Sequence, residues 1–141
     1  MPFVNASSAA AANAAAALIP VSLNGGKVRC AIAEFTCASD AAATYTAPIK
    51  LPKGARVICG FLNASVTMGG TATLAIGISG ATGKYRAAAT YTTADTFTII
   101  ALNAATGAVL TAEEQILLTV AAAALPSSGR LLIGFLWVDN S

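Results

Sequence analysis

From residue 27 onward the sequence is a succession of short segments rich in strand-forming residues, each followed by turn-forming residues. The clearest segment is residues 71–79, where Leu74, Ile76 and Ile78 alternate with smaller residues, so that one face of a strand would be apolar. The segments are residues 27–36, 43–48, 56–63, 71–79, 85–90, 96–102, 115–121 and 130–138. No helix-length segment alternates with them, which argues against a parallel α/β sheet. Their spacing predicts an all-β fold, an antiparallel β-sandwich of about eight strands.

Two parts of this pattern bear on the topology. Residues 111–114 fit a helical capping box, but we prefer a strand there because residues 116–120 are rich in β-forming side chains. The last two segments, residues 115–121 and 130–138, are predicted to form an antiparallel pair. The Gly-rich residues 77–83 lack the spacing of a phosphate-binding loop, so we interpret them as a hairpin loop.

The first 24 residues differ from the rest because they are Ala-rich and of low complexity, and a turn-forming Asn-Gly-Gly follows them. We therefore divide the chain into an N-terminal arm, residues 1–24, and a sandwich domain, residues 25–141. Residues 9–18 could form a helix, but a short helix of alanines is marginal by itself and has no large apolar stripe with which to dock.

The arm also carries large apolar side chains, and a solvated tail has little use for them. We expect Phe3, Val4, Leu18 and Ile19 to contact another surface, so that the arm becomes ordered on contact. A frayed terminus is the alternative. Residues 1–20 fit neither a signal peptide nor a membrane span, and we expect no membrane partner.

The chain lacks the residue types on which most catalytic sites depend. It contains no histidine, only six acidic residues, and 10% charged residues against about 25% in typical domains. This excludes His-based nucleophilic triads and His-ligated zinc, so we expect neither an enzyme nor a cofactor or metal site. A net charge of +2 is too small to indicate nucleic-acid binding.

A small cationic cluster, Lys84, Tyr85 and Arg86, follows the Gly-rich loop. Two cations around an aromatic ring are more often a solvated loop, or a contact point for an acidic partner surface, than part of a nucleic-acid-binding groove. The adjacent Glu113 and Glu114 would point to opposite faces of a strand, which does not suit a general acid/base pair. The aromatic residues Phe61, Phe135 and Trp137 are interpreted as core.

The three cysteines, Cys30, Cys37 and Cys59, have spacings that fit no redox or zinc motif. Cys30 and Cys59 lie in apolar segments, so we expect buried, reduced thiols, with a Cys30–Cys37 disulfide as the alternative. The pattern is consistent with synthesis in a reducing cytoplasm.

Three stretches together resemble a known class of proteins. They are APIKLPKGARVICGFLNAS (residues 47–65), TATLAIGISGATGKYRAAA (71–89) and EEQILLTVAAAALPSSGRLLIGFLWV (113–138). They resemble the small β-sandwich head decoration (cement) proteins of tailed bacteriophages over about 100 residues. The resemblance implies a jelly-roll-like sandwich, a homotrimer seated where capsomers meet, the major capsid protein as partner, and an arm reaching across the shell. It implies no catalytic residues, and the Ala-rich arm departs from the pattern.

These observations lead to one main hypothesis and two alternatives. We expect a structural virion protein, made in the host bacterial cytoplasm, that decorates and stabilises a phage capsid. Its contacts with the capsid or a neighbouring subunit would be made by Phe3, Val4, Leu18, Ile19, Lys84, Tyr85 and Arg86. The first alternative is a tail, neck or head-fibre component of the virion. The second is a carbohydrate- or cell-surface-binding module, which predicts an exposed aromatic cluster of Tyr45, Tyr85 and Tyr91.

Overall fold

The computed structural model describes residues 27–102 and 106–139, which form eight β-strands and, within those ranges, no helix. The strands are β1 (Val28–Thr36), β2 (Thr44–Leu51), β3 (Arg56–Ala64), β4 (Thr73–Ile78), β5 (Ala81–Thr90), β6 (Thr98–Ile100), β7 (Glu114–Ala121) and β8 (Arg130–Val138). The prediction of eight strands is confirmed, including the strand rather than helix at β7. The predicted N-terminal arm lies outside the described residues.

The strands form two four-stranded antiparallel sheets. The first sheet has the order β1-β8-β3-β6 and the second the order β2-β7-β4-β5. The first strand therefore pairs with the last, β2 with β7, β3 with β6, and β4 with β5. This nested pairing is that of a long hairpin rolled into two sheets, which is the jelly-roll arrangement.

The predicted pairing of the last two segments is wrong. Strands β7 and β8 lie in different sheets, where β7 lies between β2 and β4, and β8 lies between β1 and β3. The connection between them therefore crosses from one sheet to the other. It runs beside the β1–β2 connection, where Ser39 donates to the carbonyl of Pro126 and Leu125 donates to that of Asp40. Strands that are adjacent in sequence often pair as a hairpin. In this jelly roll, however, β7 and β8 occupy central positions of different sheets and pair with strands that are distant in sequence.

The core lies between the inward faces of the two sheets. Alternation is regular in β7, where Ile116, Leu118 and Val120 are buried and the intervening side chains are partly exposed. The rings of Tyr85 and Phe135 meet edge to face with centroids 5.1 Å apart, which joins β5 of one sheet to β8 of the other. Burial of each large apolar side chain contributes about 1.5–3 kcal/mol, so this layer is the main source of stability.

The β4–β5 hairpin is tighter than the sequence predicts. Gly80 has a φ of +83°, a conformation that favours glycine, and a Cβ at Gly77 would lie 2.2 Å from the carbonyl oxygen of Ala81. Strand β5 therefore begins at Ala81, and the predicted hairpin loop over residues 77–83 reduces to a turn at Ser79 and Gly80. Because the hairpin is closed so early, the cationic cluster of residues 84–86 belongs to a strand.

Candidate interaction surfaces

The cationic cluster is bonded to other parts of the same chain. Lys84 forms an ion pair with Glu114 of β7, and the Tyr85 hydroxyl donates a hydrogen bond to the other oxygen of that carboxylate. The Lys84 ammonium also lies 5.3 Å from the centroid of the Tyr85 ring. Only 2% of Tyr85 is exposed. The positive charge of Lys84 is therefore compensated within the fold.

Burial changes the acidity of two residues in this cluster. It raises the pKa of Tyr85 far above its ordinary value, and the hydrogen bond to Glu114 and the negative charge of that carboxylate raise it further. Burial lowers the pKa of Arg86, whose guanidinium donates to the carbonyls of Leu74, Ala89 and Thr90. Arg86 thus links the two strands of the β4–β5 hairpin.

The interpretation of Lys84, Tyr85 and Arg86 as a solvated loop is wrong, because all three lie in β5 and are at least partly buried. The sequence does not reveal this, since the partner carboxylate lies about thirty positions away, in β7. Their contact with a capsid or a neighbour stays a prediction. The other predicted contact residues, Phe3, Val4, Leu18 and Ile19, lie outside the described residues.

The predicted tyrosine cluster does not form. Tyr85 and Tyr91 are buried, and Tyr45 is half-buried with its ring 5.2 Å from that of Phe35. The Tyr91 hydroxyl accepts a hydrogen bond from the Ala64 amide at 3.1 Å and donates to the Thr96 carbonyl at 2.8 Å. Tyr91 therefore ties the loop before β6 to β3.

A cleft of about 120 Å³ opens where β1 and β2 approach each other, lined by side chains that include Phe35, Tyr45 and Leu118. Its volume is below the ~300–1,000 Å³ of small-molecule sites. Within residues 27–102 and 106–139, no group of three or more metal-ligating side chains comes together. No helix in the same ranges is long and apolar enough to cross a membrane.

The prediction of buried thiols is wrong for Cys30, which is exposed on β1, while Cys59 is half-buried and Cys37 is buried. All three are free, so the alternative Cys30–Cys37 disulfide does not form. Burial raises the pKa of the Cys37 thiol, and the negative charge of Asp40 adds to the effect. The exposure of Cys30 follows from its place in the register, since it shares the outward side of β1 with Val28 and Ile32.

The outward face of the first sheet is apolar. One row of directly opposed residues crosses all four strands, from Ile32 through Gly134 and Phe61 to Ile99. Ile32 is 59% exposed and Ile99 53% exposed. Further outward apolar side chains lie on either side of this row: Val28, Cys30, Cys59, Phe97, Leu132, Leu136 and Val138. We call this surface the apolar face.

Phe61 is at the centre of the apolar face and not in the core, which corrects the prediction for this residue, whereas Phe135 and Trp137 are buried as predicted. Its ring lies over Gly134, where a Cβ would come within 2.1 Å of a ring carbon. The Phe97 ring stacks on it with a centroid distance of 5.1 Å. The two rings make the face continuous across the missing side chain of Gly134.

The outward face of the second sheet is polar by comparison. Thr44, Thr46 and Lys50 of β2 point outward beside Gln115 and Thr119 of β7. An antiparallel sheet normally has one face on the core and one solvated face, and the second sheet follows that rule. The apolar face of the first sheet is not among the features predicted from the sequence, although the alternation of Phe97 with Ile99 is a signal for it.

Comparisons with known proteins identify the fold but no family. No protein-family model matches the chain, and no curated protein matches it in sequence. Solved structures that contain chains of the same fold include three phage capsids. A chain of the cyanophage Pam1 capsid asymmetric unit is 22% identical to this chain, with a TM-score of 0.65, and the match covers 81% of this chain and 86% of that chain.

The acid-stable capsid of Helicobacter pylori bacteriophage KHP30 contains a chain 17% identical, with a TM-score of 0.63, covering 81% of this chain and 89% of that one. The capsid of Ralstonia phage GP4 contains a chain that is 20% identical, also with a TM-score of 0.63, and the match covers 82% of this chain and 86% of that chain. At these identities the likeness shows the fold alone. The coverage shows that the matched chains are close to this one in length.

Proposed function

We propose that the chain is a structural virion protein that decorates and stabilises a phage capsid, binding the major capsid protein at capsomer junctions as a homotrimer. The observation that carries the proposal is the eight-strand jelly roll, shared over more than four-fifths of the chain with chains of three phage capsid structures. The trimer and the junction site rest on the resemblance of residues 47–138 to decoration proteins.

The physical basis of such a role is mass action. A protein that binds the assembled shell, and not its separated subunits, stabilises the shell in proportion to its occupancy. Many copies placed by symmetry add their separate contributions, so each contact can be weak.

A tail, neck or head-fibre component would have the same fold and differ in number. The carbohydrate-binding alternative is disfavoured, because two of the three tyrosines it requires are buried. The distinguishing experiment is a measurement of the molar ratio of this chain to the major shell protein in purified particles, by quantitative mass spectrometry. We expect a ratio on the order of one chain per shell subunit. A few copies per particle would move the protein to the tail or a vertex, and absence would refute a virion role.

A second experiment addresses stabilisation. Particles lacking the chain should break at a lower temperature or under milder chelation than complete particles, and adding back the purified full chain should restore their stability. A chain lacking residues 2–17 tests the distal arm, where Phe3 and Val4 lie. We expect weaker shell binding from it. Equal binding by both chains would show that the distal arm makes no contact with the shell.

A further inference from the structure

The apolar face extends across all four strands of the first sheet. Val28 and Phe97 are each 60% exposed, at opposite edges of the sheet, and the row from Ile32 to Ile99 lies between them. Monomeric proteins rarely leave contiguous apolar patches of several hundred Å² uncovered. Something therefore covers this face in the working protein.

Charged side chains of the described strands stand at the two ends of the face. Glu34 lies at one end and pairs with Arg130 across 3.8 Å. Arg56 lies at the other end, opposite Val138, and donates to the carbonyl of Gly107 at 2.8 Å. Glu34 has an ion-pair partner in Arg130, whereas Arg56 bonds a carbonyl and its Nε has no hydrogen-bond partner. The row between these two ends carries no charge, so the occupant of the middle of the face needs apolar side chains.

The chain itself supplies a segment of that character next to the face. Strand β1, an edge strand of the first sheet, begins at Val28, so the 26 residues before Lys27 enter the fold at the margin of the apolar face. These residues include no Lys, Arg, Asp or Glu. The six residues 18–23 are Leu-Ile-Pro-Val-Ser-Leu, of which four are large and aliphatic. Asn24-Gly25-Gly26 then follows, a sequence that favours reversal of the chain.

We propose that residues 18–23 fold back at Asn24-Gly25-Gly26 and cover the apolar face of their own chain. Six extended residues span about 20 Å. Ile99 lies three strand spacings, about 14 Å, across the sheet from β1 and four residues, about 13 Å, along it from Val28, so the two residues are about 19 Å apart. The segment can thus reach from Val28 to Ile99. The short connection gives it an effective concentration in the mM range, above that of a second copy at ordinary protein concentrations.

This assignment divides the arm into two parts. Leu18 and Ile19 contact their own domain, while Phe3 and Val4 lie beyond a run of alanines and remain free for an external partner. The proposal concerns the free chain and needs no shell. It can therefore fail while the proposed virion role stands, and the virion role can fail while the contact of residues 18–23 with the apolar face stands.

The thiol of Cys30 reports on the proposed contact, because it is exposed on the apolar face. The experiment follows maleimide labelling of the free full chain at low concentration, with each cysteine resolved by peptide mass spectrometry. We expect Cys30 to label at least about ten times faster in a Leu18→Asp/Ile19→Asp variant than in the unmodified chain. The matched variant Phe3→Asp/Val4→Asp should label as the unmodified chain does.

Cys37 is the internal folding control, because it is buried in the core and should stay unlabelled in every folded variant. Equal labelling of Cys30 in the unmodified chain and the Leu18/Ile19 variant overturns the proposal. Protection that rises with protein concentration would assign the face to a second copy. Protection that arises only when shells are added would assign it to the capsid. Either of these results also overturns the proposal.

A second measurement uses the unmodified chain and so does not depend on a variant that folds. Nuclear Overhauser effects should connect the methyl groups of Leu18 or Ile19 with those of Ile32 or Ile99. In a mixture of labelled and unlabelled chains these contacts should appear within a chain and not between chains. Contacts seen only between chains, or absent from a folded sample, would refute the assignment.

Discussion

Replacement of Gly134 by alanine tests how the apolar face is packed. A Cβ at this position would lie 2.1, 2.3 and 2.9 Å from three carbons of the Phe61 ring. Ordinary carbon–carbon contacts are about 3.5–4.0 Å, so the ring must move by about 1.5 Å or more and lose its stacking on Phe97. Such overpacking costs about 1–3 kcal/mol of stability. Part of this cost is offset, because alanine in a strand is more favourable than glycine by about 0.5–1 kcal/mol.

We expect Gly134→Ala to lower the free energy of unfolding by about 1 kcal/mol when Phe61 is present. In a Phe61→Ala background the same change should be neutral or stabilising by about 0.5 kcal/mol. The expected coupling between the two positions is therefore about 1.5 kcal/mol, within the range for residues in direct contact. Gly83→Ala is the matched control, since its Cβ would meet nothing closer than 3.4 Å.

The assay is urea unfolding under reducing conditions at one protein concentration, followed by the fluorescence of Trp137, the single tryptophan, which is 7% exposed. A loss of 1 kcal/mol shifts the urea midpoint by about 0.5 M for a slope near 2 kcal/mol/M. The reasoning fails if Gly134→Ala has the same effect in both backgrounds. It also fails if Gly83→Ala is as destabilising as Gly134→Ala.

Three further predictions concern the core and the Tyr85 cluster. Phe135→Ala should cost about 3–5 kcal/mol, whereas Ile32→Ala, at an exposed position, should change stability by no more than about 0.5 kcal/mol in a chain that starts at residue 27. Glu114→Gln should cost about 1–3 kcal/mol in urea unfolding, because it leaves partly buried charge uncompensated, and a neutral effect would contradict the ion pair. Unfolded tyrosine titrates near pH 10 while folded Tyr85 keeps its proton, so stability should hold below pH 10 and fall above it by up to about 1.4 kcal/mol per pH unit. Between pH 8 and 11, thermal unfolding should show that the stability of the Tyr85→Phe variant decreases less per pH unit than that of the unmodified chain. The decrease that remains in the variant comes from Cys37, whose raised pKa acts in the same direction above about pH 9.

Strand positions were predictable because they depend on local chemistry. The alternation in β4 and the apolar run of β8 place side chains on the two faces of an extended backbone wherever the partner strands lie. The boundaries that differ have local causes too. Strand β5 starts four residues earlier than predicted because Gly77 allows the two strands of the hairpin to approach closely.

The surfaces were less predictable, because period-two alternation does not say which face will be covered. In β1 both sets of alternating side chains contain apolar residues, and the smaller Ala31 and Ala33 turn inward while Val28 and Ile32 stay outside. The roles of Lys84 and Tyr85 were hidden for a related reason. Their partner Glu114 comes from β7, and only the β2-β7-β4-β5 order brings it close.

The sequence by itself determined the class of fold, the positions of its strands and the scarcity of catalytic residue types, since these depend on composition and local periodicity. The tertiary structure decided which strands pair, which thiol is exposed, and that one sheet presents an apolar face while the other is polar. The physical reason is that β1 and β8 are separated by about a hundred residues, and their pairing depends on how all eight strands share one core. The same packing turned Phe61 outward over Gly134, and that ring marks the centre of the surface for which an occupant is proposed.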